Sequence, residues 1–145
     1  MCRIGIGLYG YELGKVEPCL AVRSYVARVA DVKKGETVGY GGRFKAEKDE
    51  IIATISMGYG DGLPRSFTGG FILIGGKKRK VVGNICMDYC FAIVDRSVKA
   101  GDEAVLIGKQ GAEVQTAEEV AEKCETISYE ILTGLKRFER LYTDD

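Results

Sequence analysis

Two tyrosines set among glycines are the residues of this 145-residue chain whose type and spacing suit chemistry. Tyr40 lies in VGYGGRF and Tyr59 in MGYGDGLPR, and between them runs the strand-like string IIATISM at residues 51–57. Glycine removes side-chain bulk and permits positive φ, so at either turn a backbone can approach a ligand and present the phenol to it. A phenol titrates near pH 10, and to act as a base at neutral pH it needs a nearby cation or a hydrogen bond that favours phenolate. Arg43 and Arg65 each follow one of the turns and Arg3 stands in the opening segment, so cations are close by in sequence. Each turn also reads as an ordinary β-turn with a tyrosine packed over it. Asp61 reads as a turn residue that hydrogen-bonds its own backbone.

Other strings carry weaker signals. Gly5 and Gly7 in RIGIGLYG expose backbone N–H groups, as a phosphate cradle does, and equally fit a plain strand-to-loop junction. Residues 84–88, NICMD, read on propensity as strand. Of five cysteines only Cys86 and Cys90 are close, too few ligands for zinc, and they read as small buried residues; no metal is expected. KKRK at residues 77–80 follows Gly75-Gly76 and reads as a charged hairpin tip. Lys+Arg and Asp+Glu are each 21, so no global field draws nucleic acid or an anionic membrane.

The elements that must hold these residues are mostly strands. At 46% hydrophobic content the chain suits one soluble core, and no apolar run approaches the ~20 residues of a membrane span. The odd cysteine count and a start without a signal peptide's basic-then-apolar order point to a reducing cytoplasm. Ile4, Ile6 and Leu8 alternate with glycine as a short opening strand, and residues 15–38 read as a long half-exposed strand ended by Lys33-Lys34-Gly35-Glu36. That turn grammar returns at residues 98–102, VKAGD, before the apolar EAVLI. Residues 51–57, 71–74, 81–85 and 91–94 are further short strands. Thr116 with Glu119 forms a capping box ahead of Ala117, Val120, Ala121 and Cys124 at helical spacing, and a second short helix runs from Ser128 to about Gly134. The expected fold is mostly β, a compact antiparallel barrel or sandwich with two short C-terminal helices.

In order, RIGIGLYG, VGYGGRF, GYGDGLPR, GNICMD and ISYEILTGL resemble the C-terminal portion of the alanine racemase family of pyridoxal-phosphate enzymes, over residues 3–142. The resemblance implies an N-terminal (β/α)8 barrel joined to a C-terminal β domain, working as a head-to-tail homodimer with each site built across the interface. Residues 1–14 then correspond to the last barrel strand and its phosphate-binding loop, and residues 15–145 to the β domain. The resemblance assigns Arg3 to the cofactor's pyridine nitrogen, Gly5, Ile6 and Tyr129 to its phosphate, and Tyr40 to one of two acid/base roles. It assigns Tyr59 to the inner approach to the site and the main chain of Met87 to the substrate carboxylate; with Tyr40, these serve the partner's barrel.

Racemisation removes a proton from one face of the substrate and returns one on the other, so two acid/base groups must face each other. The second, in the family, is the cofactor-bearing lysine of the barrel, and no lysine here falls in an equivalent motif. The chain alone is therefore expected to be inactive. Asn84 departs from the arginine that many alanine racemases carry, which keeps L-/D-serine beside L-/D-alanine as substrate, with a membrane-anchored parent in the serine case. A non-catalytic β-barrel binding module and a structural domain whose tyrosines merely pack remain as readings from other classes.

Overall fold

The structure is a computed structural model that describes residue 3, residues 5–11 and residues 16–143. Its frame is a closed antiparallel ring of six strands: β1 (Val22–Val32), β4 (Glu50–Ile55), β7 (Cys90–Val94), β6 (Lys77–Val82), β5 (Phe71–Ile74) and β8 (Glu103–Gln110), with β8 pairing back onto β1. Closure depends on β1, whose first half pairs with β8 and whose second half pairs with β4. Register shifts between Val22 and Arg23 and between Val26 and Arg28 bend the strand from one neighbour to the other. The far half of β8 carries β9 (Glu113–Gln115). Apart from the ring, β2 (Thr37–Val38) and β3 (Phe44–Lys45) form a two-stranded hairpin.

Side-chain pattern decides which strand face is covered. In β7, Cys90, Ala92 and Val94 are buried while Phe91 and Ile93 are half-buried, the alternation of a pleated strand with one inward face. The ILI run of β5 (residues 72–74) and the AVLI run of β8 are buried on both faces. Val26, Ile55, Ile72, Ile74, Val81, Ala92 and Leu106 meet in the main core, and burial pushes the Cys90 thiol up. Tyr11 belongs to this core at 1% exposure, and there desolvation drives its phenol up to about 12. Val38, Ile52 and Val82, flanked by Phe44 and Phe91, form a second, smaller core that seats the β2–β3 hairpin.

Helix α1 (Ala117–Lys123) begins with the expected capping box: the Glu119 N–H donates to Thr116 Oγ1 at 3.2 Å, and the Thr116 N–H to Glu119 Oε2 at 2.9 Å. It ends on Glu125 at φ 56, with the Thr126 N–H reaching back to the Ala121 carbonyl at 3.0 Å and the Glu125 N–H to that of Glu122 at 3.0 Å. That left-handed stop turns the chain into α2 (Ser128–Gly134). The repeated turn grammar is also real. Lys33 and Lys99 each receive Glu36 or Asp102 on their N–H, return a carbonyl to that acid's own N–H, and place Gly35 or Gly101 at φ 92.

Three local expectations are corrected. The opening segment is not a strand over its described part: Gly5–Tyr9 is a 3-10 turn, with Gly5 at φ 60 and no strand beside it among the described residues. KKRK is not a hairpin tip, because Gly75 and Gly76, at φ 63 and 69, close the turn alone and pairing starts at Lys77 with Ile74. The lysines and Arg79 therefore lie in β6. Residues 84–88 are loop, since Gly83 at φ 69 ends β6 and the Cys86 N–H bonds the Tyr89 carbonyl instead of a neighbouring strand. The expected boundary at residues 14 and 15 lies outside the described residues, as do Cys2 and Ile4. Among the described residues no helix is long and apolar enough to cross a membrane.

Asp95 locks β6 to the turn after β7. It accepts from the hydroxyl and N–H of Ser97 and pairs with Arg79 at 2.8 Å. The Ser97 hydroxyl first, and Arg79 next, hold its carboxyl well below the usual range. With the folded value below the unfolded one of about 3.9, its contribution is complete above that pH and fades as pH falls toward the folded value. Asp95→Asn is expected to lower the urea midpoint at pH 7, with the gap to the parent narrowing steadily below about pH 4. A gap that stays constant from about pH 6 to pH 2 would contradict the linkage.

Candidate active site

Tyr40 sits at the tip of the β2–β3 hairpin, in a one-turn 3-10 helix (Tyr40–Gly42), and is 78% exposed. Gly39, Gly41 and Gly42 all take positive φ, at 76, 72 and 58, so the tip depends on glycine at each bend. What fixes it comes from residue 84, on a different loop. The Asn84 side-chain amide donates to the Tyr40 carbonyl at 2.8 Å, and a Cβ on Gly39 would meet the Phe91 ring at 3.2 Å and the Asn84 carbonyl at 3.4 Å.

The Tyr59 turn docks on the same loop. The N–H groups of Tyr59 and Gly60 donate to the carbonyls of Cys86 and Met87 at 3.0 and 2.8 Å. Asp61 accepts from the Gly58 N–H at 2.9 Å, the expected turn bond. The approach is so close that a Cβ on Gly58 would lie 2.3 Å from both of those carbonyls. On its other side the turn meets the end of α2: a Cβ on Gly62 would fall 2.2 Å from the Gly134 carbonyl, and the Lys136 N–H donates to the Asp61 carbonyl at 2.9 Å. Arg137 then pairs with Asp88 at 3.0 Å, tying the segment after α2 to the Met87 loop. Tyr59 and Met87 are each 48% exposed.

The loop at residues 83–89 thus gathers Tyr40, Tyr59 and Met87. The remaining predicted residues form a second group. Arg3 and Gly5 are exposed, Ile6 packs against the main core, and Tyr129 is half-exposed on α2. Gly5 and the Tyr129 hydroxyl face each other, since a Cβ on Gly5 would lie 3.9 Å from Tyr129 Oη. A cleft of about 590 Å³ between the Tyr59 turn and α2 is lined by Tyr59, Leu63, Cys124, Glu130 and Lys136, and it takes in none of the other predicted residues.

Of the cations near the phenols in sequence, Arg43 turns to Asn84 Oδ1 at 3.4 Å, and Arg65 is exposed at the start of a 3-10 turn whose Phe67 is buried. In the sequence Asn84 stands out only as a departure from the family's arginine, with no sign of its bond to the Tyr40 main chain. No periodicity links residues 44 positions apart. Gly83, which ends β6, is the one sequence signal near it.

Gly58→Ala should lower stability by about 1–3 kcal/mol, because the new methyl overlaps backbone that cannot yield without parting the two loops. Gly101→Ala, with nothing within 4 Å of its Cβ position, should cost only about 1 kcal/mol of backbone strain. Urea unfolding of the two variants checks the order, and equal losses would disprove the steric account.

Residues 19–142 match the family described as "Alanine racemase, C-terminal domain". The alanine racemase of Carboxydothermus hydrogenoformans is 40% identical over 154 residues, an overlap of 98% of this chain and 42% of that protein. The crystal structure of alanine racemase from E. faecalis superposes with a TM-score of 0.86 at 35% identity, over 91% of this chain and 38% of that one. That from Bartonella henselae, with covalently bound pyridoxal phosphate, gives 0.86 at 34% identity, over 96% and 40%. The chain spans about two fifths of the length of the curated relatives it matches. By the extent of the family match and the identity to these relatives, this chain belongs to the alanine racemase family, of which it carries the C-terminal β domain.

Proposed function

We propose that the chain is the C-terminal domain of a pyridoxal-phosphate-dependent alanine racemase, and that it presents Tyr40 to the active site of a partner subunit in a homodimer. The observation that carries this reading is the gathering of an exposed Tyr40, Tyr59 and Met87 around one loop, with family membership behind it. Alanine is favoured over serine because the relatives are named alanine racemases. The opening residues 1–14 are read as the end of the barrel domain and residues 15–145 as the β domain.

The groups assigned to the cofactor suit it chemically. A phosphate takes donors, and Gly5, at φ 60 and without a Cβ, leaves its main chain open opposite the Tyr129 hydroxyl. With the Ile6 N–H these would form a donor set for a dianion. Arg3 would donate to the pyridine nitrogen, since a guanidinium has N–H donors and no acceptor. When bound, pyridoxal phosphate supplies the electron sink that acidifies the substrate's α-hydrogen.

The chain's own residues divide the remaining work. Tyr40 Oη takes or returns the proton at one face of the substrate's α-carbon; the other face belongs to the barrel's lysine. The Met87 carbonyl is engaged by Gly60, which leaves its N–H as the main-chain group of the right polarity for a substrate carboxylate. Tyr59, on the rigid turn beside it, narrows the approach.

This chain mixed with pyridoxal phosphate and L-alanine should show no racemisation, and turnover by it alone would refute the division of labour. In the enzyme carrying the barrel, Tyr40→Phe should cut racemisation by about 10²–10⁴-fold while the cofactor's absorbance persists; an active variant would remove Tyr40 from the chemistry. The ratio of kcat/KM for L-alanine and L-serine in that enzyme should favour alanine, and a preference for serine would replace the substrate assignment.

A further inference from the structure

The Tyr40 tip is built to bend. Three of its residues are glycines in the left-handed region, its flanking strands are two residues each, and its 3-10 turn closes with one long bond, Gly42 N–H to the Gly39 carbonyl at 3.4 Å. Such a tip does not by itself hold a phenol within the fraction of an ångström that proton transfer requires. The one side chain bonded to it from the 83–89 loop is Asn84, half-buried, which donates from Nδ2 to the Tyr40 carbonyl at 2.8 Å.

The orientation of that amide follows from its neighbours. A carbonyl only accepts, so the NH2 end faces Tyr40; a guanidinium only donates, so the oxygen end faces Arg43 Nη1 at 3.4 Å. Arg43 leaves the same hairpin at the other side of the tip. One carboxamide thus bridges the two ends of the Tyr40 turn. The residue that carries it is in turn held by the ring, because Gly83 and Ile85 on either side are buried and the Gly39 backbone rests on the Asn84 carbonyl.

We infer that Asn84 is a positioning residue for racemisation: its amide bridges the Tyr40 carbonyl and Arg43 and so sets where the Tyr40 phenol stands. The inference rests on Tyr40 acting as the acid/base. It concerns the donor at Nδ2 and not merely the volume of the side chain. Asn84→Asp keeps that volume and the partner for Arg43, loses the donor, and sets a carboxylate oxygen against the Tyr40 carbonyl.

In the enzyme carrying the barrel, Asn84→Ala and Asn84→Asp should both lower kcat for alanine about tenfold or more, with KM moving less than about threefold and the cofactor's absorbance unchanged. Hydrogen–deuterium exchange on this chain supplies a readout independent of turnover. Residues 38–44 should exchange faster in both variants, while the strands of the ring keep parental rates, which also shows that the variants fold. Full kcat in both variants beside an inactive Tyr40→Phe would overturn the positioning role and leave Tyr40 in place. An active Tyr40→Phe would instead remove the role of Tyr40, and with it any effect of Asn84 on the chemistry. Asn84→Asp behaving as the parent while Asn84→Ala fails would reduce Asn84 to packing and also overturn the inference. Unchanged exchange at residues 38–44 in both variants would disprove the clamp itself.

Discussion

The arrangement of this domain's loops depends on a backbone-to-backbone contact: Gly58 to Gly60 lying against the carbonyls of Cys86 and Met87 with no side chain between. A Cβ on Gly58 would fall 2.3 Å from both carbonyls and one on Gly60 3.0 Å from that of Met87, so glycine at these two positions lets the Tyr59 and Gly60 N–H groups reach their acceptors. Once this contact is made, Met87 is fixed beside the Tyr59 turn, and Asp88 lies where Arg137 can reach it. The same loop, three residues earlier, supplies the amide that holds Tyr40. One short irregular segment therefore relates three side chains drawn from distant parts of the sequence.

The ring of strands gives that segment a stable base. Buried Gly83, Ile85 and Cys86 anchor its first half and Cys90 its end, so the loop is stretched between two points of the core while Met87 and Tyr89 project outward. A closed ring has no free edge between its members, which suits a domain that must expose apolar and aromatic groups elsewhere. Leu8, Tyr9, Tyr25, Ile127, Leu141 and Tyr142 are all exposed, an outer surface richer in large apolar groups than a solitary domain needs. The proposed barrel and partner subunit would account for it.

Much of the frame was legible in the sequence because it is written in local chemistry. The turns at residues 33–36 and 99–102 share one grammar and make the same bonds, and the capping box at Thr116 reads directly as a helix start. Strands were found where apolar residues alternate or cluster. The errors arose where context overrides propensity. Two glycines sufficed to close the β5–β6 hairpin, so the lysines after them were free to pair, and Ile85 is buried as a plug and not as part of a strand. The site was legible differently. The order of its motifs pointed to a family, yet neither the contact at Gly58 nor the bridge from Asn84 leaves any periodic trace, since each joins segments that only the closed ring brings together.

The hairpin bearing Tyr40 rests on a core of its own, with Val38, Ile52 and Val82 buried and Phe44 and Phe91 packed against them. Its pairing amounts to two residues on each side, against strands of up to eleven in the ring. Local opening of so small a unit takes far less free energy than global unfolding. On warming, the arm would therefore come loose while the strands beneath it remain paired, and in an enzyme that uses Tyr40 as proposed, heat inactivation would run ahead of the loss of β structure. Thermal tolerance of that proposed activity would then be set by a handful of residues on the outside of the β ring, and not by the melting point of the domain.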